Sequence, residues 1–156
     1  MSDVQAIAPY LEPVRKSLTV ERSVDEAFEI FTARMASWWP TQKFSISEDR
    51  TVDVVFEGRE GGAVFEVRDD GERFEWGTVL AWEPPGRVVF AWYPGRAPET
   101  GQEVEVRFAA EGGGTRVDLE HRGWEILGDA AESTRKGYVE GWDLVFVELF
   151  GGACRL

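Results

Sequence analysis

The chain has 156 residues, of which 43% are hydrophobic and 13% aromatic, and its formal net charge is −12. This length and apolar content predict one domain with a buried core and exclude a disordered chain. Its densest basic spots are the pairs Arg15-Lys16 and Arg135-Lys136, so the acidic balance excludes nucleic acid as an expected partner.

The first part of the chain is predicted to form a strand and a short helix. Residues 1–13 form a flexible lead, and a strand follows over residues 14–20. Ser23, followed three residues later by Glu26, is the pattern of a capping box at a helix start. Apolar residues then recur at helical spacing, which predicts a helix over residues 24–37.

Between Thr51 and His121 the apolar period changes to about 2, which is typical of strands. Six segments separated by turn residues predict an antiparallel meander. We place one apolar set from each segment on a common inner face: Val52, Val54 and Phe56; Ala63, Phe65 and Val67; Phe74, Trp76, Thr78, Leu80 and Trp82; Val88, Phe90 and Trp92; Val104, Val106 and Phe108; Val117 and Leu119.

The last predicted element is a long helix over residues 130–150, with Asp129 as its cap. It carries an apolar stripe and is the only element long enough to cover the concave face of the sheet. The predicted fold is therefore α+β, with a curved antiparallel sheet of about seven strands wrapped around the C-terminal helix. The domain is expected to span residues 14–151, and residues 152–156 form a tail that carries the single cysteine, Cys154.

Several short motifs recur in an order that extends over nearly the whole chain. They are Ser23-Val24-Asp25-Glu26-Ala27-Phe28, Trp38-Trp39-Pro40, Trp76-Gly77, Trp82-Glu83-Pro84-Pro85, Val89-Phe90-Ala91-Trp92, Leu119-Glu120-His121-Arg122-Gly123-Trp124 and Gly141-Trp142. With these motifs the chain resembles the activator of heat-shock-protein-ninety ATPase homologues, in the START-like (SRPBCC) superfamily. The resemblance implies a helix-grip fold around an apolar cavity that superfamily members use for lipids, steroids or polyketides.

Strand parity and this resemblance together give a set of candidate ligand-binding residues. Two interpretations stay open, a chamber lined by aromatic rings and a core that the same rings fill. Within the Trp38-Trp39 pair, we expect Trp39 near the opening and Trp38 in simple packing. The candidates are Trp39, Phe56, Phe65, Trp76, Leu80, Trp92, Phe108, Leu119, His121, Trp142 and Phe146.

Two glycines in the last helix, Gly137 and Gly141, lie on one flank of it. A glycine inside a helix costs roughly 0.5–1 kcal/mol relative to alanine, so some other gain must offset it. Either the glycines leave room for a ligand, or they allow a strand to approach closely.

His121, the only histidine, is either a ligand contact or a hydrogen-bonded residue at the end of a strand.

The sequence therefore predicts a non-catalytic binding protein for a small apolar or aromatic molecule, with no cofactor. One cysteine and one histidine exclude a disulfide and a typical metal site, and suit the cytoplasm. No segment is apolar enough for membrane insertion. The alternatives are a chaperone-like protein partner, as the resemblance implies, and an enzyme acting on an apolar substrate. A homodimer through Leu144 and Val147 is also open.

Overall fold

The computed structural model describes residues 10–156, and its main element is one seven-stranded antiparallel sheet with the order β1-β7-β6-β5-β4-β3-β2. The six later strands form the predicted meander, and β1 pairs with β7 along its whole length. The strands are β1 (Val14–Val20), β2 (Thr51–Phe56), β3 (Ala63–Arg68), β4 (Arg73–Glu83), β5 (Arg87–Trp92), β6 (Gln102–Glu111) and β7 (Gly114–Arg122). Residues 1–9 of the predicted lead lie outside the described residues, and the domain boundaries stay a prediction.

The first helix, α1 (Val24–Phe31), begins at the predicted capping box. The Ser23 hydroxyl accepts a hydrogen bond from the Glu26 amide, and the Glu26 carboxylate accepts one from the Ser23 amide, so two free donors of the first turn are satisfied. The helix ends six residues earlier than predicted, because the chain folds back into a 3₁₀ turn at Met35–Ser37. The Trp38 indole holds that turn by donating to the Ile30 carbonyl at 2.7 Å.

The C-terminal helix has three consecutive segments: α2 (Ala131–Trp142), a π-helical segment (Asp143–Phe150) and α3 (Gly151–Ala153). Its apolar stripe lies across the inner face of the sheet, which confirms the predicted α+β helix-grip arrangement. The predicted cap at Asp129 is wrong: the cap residue is Ala130, which makes no side-chain capping bond. No helix of residues 10–156 has the length and apolar character needed to cross a membrane.

Cys154 is not part of a loose tail, because it is 1% exposed and packs in the hydrophobic core. Its amide donates to the Phe150 carbonyl at 3.1 Å, and the Arg22 guanidinium donates to its carbonyl at 2.9 Å. Burial raises the pKa of the Cys154 thiol to about 11. The thiol is therefore a protonated core group at neutral pH.

Two bulges in β4 change which side chains face inward. Gly77 pairs with Val64 and Glu75 with Phe65, so Trp76 is an extra residue relative to β3. Relative to β5, Leu80 is the extra residue, and it lies 41% exposed. A bulge shifts parity by one residue, and Val79 takes the inward position predicted for Leu80. A similar irregularity in β2 leaves Val52 exposed, in contrast to the prediction.

Strand β3 has the opposite parity to the prediction. Val64 and Glu66 face the interior, whereas Phe65 lies on the outer face with its ring 4.6 Å below the Arg73 guanidinium. Both faces of β3 are covered, so its apolar residues do not alternate and the sequence does not reveal its inner face. Phe65 therefore cannot belong to a site between sheet and helix.

The interior is divided into two parts along the C-terminal helix. Next to α1 it is filled by phenylalanine rings, whose centroids lie 5.2 to 6.4 Å apart. These rings belong to Phe28, Phe31, Phe90, Phe108, Phe146 and Phe150. The other part, next to α2, is bounded by tryptophans and is not filled.

Gly77 allows β4 and β5 to approach each other beside this tryptophan region. A Cβ atom at Gly77 would lie 2.1 Å from the carbonyl oxygen of Ala91, a contact that only backbone separation relieves. We expect Gly77→Ala to lower the free energy of unfolding by about 2 kcal/mol or more. Urea unfolding measures this change, with Gly137→Ala as control, because no atom lies within 4 Å of a Cβ there. If Gly77→Ala were as stable as wild type, this register between β4 and β5 would be contradicted.

Candidate ligand-binding cavity

A cavity of about 490 Å³ lies between α2, strands β4 and β5, and the irregular segment after Pro40. Its volume is within the range of small-molecule sites, roughly 300–1,000 Å³. It is lined by Trp39, Lys43, Phe44, Ser45, Ile46, Trp76, Trp92, Pro94, Ser133, Thr134, Gly137, Tyr138, Gly141, Trp142 and Val145. Phe44 and Ile46 are partly exposed at its mouth.

Four indole rings form the wall of the cavity, with centroids of contacting pairs 5.1 to 6.4 Å apart. Each indole N–H group donates to an acceptor of the protein. Trp39 donates to the Phe44 carbonyl at 2.7 Å, and Trp76 donates to the Glu66 carboxylate at 2.7 Å. Trp92 donates to the Tyr138 hydroxyl at 2.9 Å, and Trp142 donates to the His121 ring at 3.0 Å. With their N–H groups engaged, the rings offer the cavity apolar edges and π faces.

Glu66 is a fully buried carboxylate behind this wall. Its two oxygens accept from the amides of Ile46 and Ser47 and from the Trp76 indole, each at 2.7 Å, and from the Thr51 hydroxyl at 3.2 Å. Burial opposes ionisation of Glu66, but these hydrogen bonds outweigh it and lower its pKa. The Glu66 carboxylate thus connects the segment at the cavity mouth, which contains Ile46 and Ser47 and is called the mouth segment, to the Trp76 indole of the wall.

His121 does not line the cavity but lies behind Trp142, fully buried. Burial, aided by the positive charge of Arg96, lowers the pKa of His121 to about 3, so the ring is neutral. Because its Nδ1 accepts from Trp142, the proton is assigned to Nε2, which lies 3.3 Å from the Gln102 side-chain oxygen. His121 is therefore a support for the wall and does not contact the cavity.

Gly137 and Gly141 both line the cavity on the flank of α2. A Cβ atom added at either position would meet no atom within 4 Å. Close approach of a strand therefore does not explain them, and the interpretation that they leave room for a ligand stays a prediction. Tyr138 lies between them in sequence and directs its hydroxyl toward Trp92.

The structure sorts the remaining sequence candidates into three groups. Trp39, Trp76, Trp92 and Trp142 line the cavity, and their binding of a ligand stays a prediction. Phe56, Phe108, Leu119 and Phe146 are buried in the filled core, while Phe65 and Leu80 lie outside the space between sheet and helix. Tyr138 and Glu66 were not predicted from the sequence, although the first belongs to the helical stripe and the second is an acid flanked by apolar residues.

The charge of the lining differs from that of the whole chain. The chain carries a net charge of −12, but among residues 10–156 Lys43 is the one charged residue of the lining and no carboxylate belongs to it. An electron-rich or anionic group on a ligand therefore meets no direct repulsion within the cavity.

The family of the chain follows from comparison with known proteins. A model of the family described as "Activator of Hsp90 ATPase homolog 1-like protein" matches residues 21–150. The chain belongs to this family. A search of curated proteins found no match.

Solved structures of similar proteins have the same helix-grip fold as this chain. The anthrahydroquino-gamma-pyrone synthase Txn09 is 34% identical, with 83% of this chain and 88% of that chain covered and a TM-score of 0.58. CalC, a self-sacrificing resistance protein from Micromonospora echinospora, is 28% identical, with 92% and 94% covered and a TM-score of 0.65. A protein from Chromobacterium violaceum, 16% identical over 93% and 98% with a TM-score of 0.65, shows the fold alone.

The pH dependence of stability tests the role of Glu66. Because its folded-state pKa lies below the ordinary value of 4.5, its stabilising contribution is complete above that pH and is lost as the pH falls through the folded-state pKa. In Glu66→Gln one of the two oxygens becomes an NH₂ group, which faces the backbone N–H group of either Ile46 or Ser47 as donor against donor. We expect a loss of about 2 kcal/mol at pH 7.

Urea unfolding of wild type and Glu66→Gln at pH 7 and at pH 3 measures this effect. The difference in unfolding free energy should shrink at the lower pH, and the exposed Glu125→Gln serves as control. A difference that is equal at both pH values would contradict an ionised, hydrogen-bonded Glu66.

Proposed function

We propose that this chain binds a small aromatic molecule, without chemical change, in the cavity between α2 and the sheet. The observation that carries the proposal is an unfilled space of about 490 Å³ that is walled in part by four indole rings whose N–H groups are already engaged. A wall of this kind favours apolar and aromatic surface over water.

The physical chemistry of the lining favours rings over flexible chains. Apolar burial contributes about 25 cal/mol per Å², and an aromatic pair in stacked or edge-to-face geometry adds about 0.5–1.5 kcal/mol. The four indoles are each held by a hydrogen bond to the protein, so little side-chain ordering is needed on binding. A rigid aromatic ligand also loses less conformational entropy than a lipid chain does.

The similarity to Txn09 supports an aromatic ligand, because the name of that synthase denotes a polycyclic aromatic compound and its structure holds a ligand called SUM. It also favours a second candidate function, in which this chain converts the molecule it binds. Among the lining residues, the half-buried Tyr138 carries a hydroxyl able to exchange a proton, and no histidine or carboxylate joins it. Mass spectrometry of a recovered ligand distinguishes binding from conversion.

The other expectations from the sequence remain predictions. These are a chaperone-like protein partner, suggested by the family description, a homodimer through the half-buried Leu144 and Val147, and a cytoplasmic location. Salt-sensitive co-purification tests the first, and sedimentation at several concentrations tests the second.

Filling the cavity from the helix tests the proposed function. Aromatic molecules of two to four fused rings are screened by calorimetry against wild type and Gly141→Leu, whose added side chain enters the open space. We expect at least one molecule to bind wild type and to bind the variant about tenfold or more weakly, since overlap worth 1.4 kcal/mol suffices for that.

By contrast, Gly141→Ala should raise stability by up to about 1 kcal/mol.

Gly152→Leu is the matched control, because Gly152 lies on the same helix away from the cavity and its nearest neighbour is the flexible end of Arg155 at 3.7 Å. Its affinities should equal those of wild type. Unchanged affinity in Gly141→Leu, or no binding of any ring system by wild type, would overturn the proposal.

A further inference from the structure

We propose that the cavity selects flat aromatic ring systems that carry a hydrogen-bond acceptor oxygen, and that Tyr138 is the residue that binds this oxygen. This selectivity rests on the proposed ligand-binding function and adds to it the chemical class of the ligand. Quinone and ketone carbonyls and phenolate oxygens on fused rings belong to that class.

The Tyr138 hydroxyl is a donor with its hydrogen free. Its oxygen accepts from the Trp92 indole at 2.9 Å, and among residues 10–156 its hydrogen has no acceptor. Burial raises the pKa of Tyr138, so the group is protonated at neutral pH. A phenolic hydroxyl can accept one hydrogen bond and donate another at the same time. In Tyr138 the bond that the oxygen accepts comes from the Trp92 indole. The remaining hydrogen is available to a ligand that occupies the cavity.

The other polar groups of the lining are less suited to this role. The four indole N–H groups already have acceptors, and the hydroxyls of Ser45 and Ser133 donate to backbone carbonyls. Lys43 is exposed, so its ammonium group keeps its water. Thr134, one turn before Tyr138 on the same helix, is the one lining residue whose hydroxyl makes no hydrogen bond within the described residues, so it is the competing donor.

The flat shape follows from the residues beside Tyr138. Gly137 precedes it and Gly141 follows one helical turn later, and both leave the helix backbone bare toward the cavity. Trp92 on β5 and Trp142, which follows Gly141 on α2, add their rings to the lining of the same cavity, with centroids 6.4 Å apart. A ring system without bulky substituents can lie against the glycine flank while an oxygen at its edge reaches the Tyr138 hydroxyl.

A matched pair of probes tests the selectivity. Anthraquinone-2-sulfonate and anthracene-2-sulfonate share ring number, shape and charge but differ in the two carbonyl oxygens. A neutral hydrogen bond contributes about 0.5–1.5 kcal/mol net, so wild type should prefer the quinone by about 2- to 10-fold in calorimetric titrations. Tyr138→Phe should bind both probes equally, whatever its effect on their common affinity, because the change also removes the acceptor of the Trp92 indole.

Three further variants keep the test specific. Trp92→Phe removes the donor to Tyr138 but leaves the hydroxyl, Thr134→Val removes the neighbouring hydroxyl, and Tyr10→Phe changes an exposed tyrosine. Each should keep the preference for the quinone, whatever its effect on affinity. Loss of the preference in Thr134→Val, with retention in Tyr138→Phe, would overturn the assignment.

The two proposals fail in different ways. If wild type binds both probes equally, the selectivity is wrong although the cavity still binds aromatic molecules. If wild type binds neither probe and none of the ring systems in the wider screen, the proposed function itself is wrong. A preference that is unchanged in Tyr138→Phe also overturns the role of Tyr138.

Discussion

A buried indole brings an N–H group into an apolar wall, and that group must have an acceptor if the wall is to be stable. In this protein the acceptors are Glu66, His121, the Tyr138 hydroxyl and a backbone carbonyl. Trp76 and Trp142 are therefore held from behind the wall, and Trp39 and Trp92 are held by groups of the lining itself, so none of the four N–H groups is left without an acceptor. The rest of the site depends on this arrangement, because it makes the cavity both apolar and fixed in shape.

The acceptors also join parts of the chain that are far apart in sequence. Glu66 on β3 binds the amides of the mouth segment and the Trp76 indole on β4. His121 on β7 connects the C-terminal helix, through Trp142, to Gln102 on β6. The charged Glu66 carboxylate and the neutral His121 imidazole thus have the same structural role, which is to accept a hydrogen bond from a wall tryptophan. In both cases the group stabilises the cavity without contacting its contents.

The sequence predicts the order of elements well, because the periods of about 3.6 and 2 and the capping box at Ser23 are local signals. It also predicts the four wall tryptophans, although not the filled region around Phe146. Leu80 and Phe65 were misplaced because bulges and a strand with both faces covered shift parity without a local signal. The open space at Gly137 and Gly141 depends on the distance between helix and sheet, which no local pattern contains.

The most direct test of the tryptophan wall as a fixed, apolar binding surface is a crystal structure of the protein with anthraquinone-2-sulfonate. We expect planar density in van der Waals contact with Gly141 and the Trp142 ring, with the hydrogen bonds from Trp76 to Glu66 and from Trp142 to His121 unchanged. Density elsewhere on the protein, or indole N–H groups turned away from these acceptors toward the ligand, would contradict a wall held from behind.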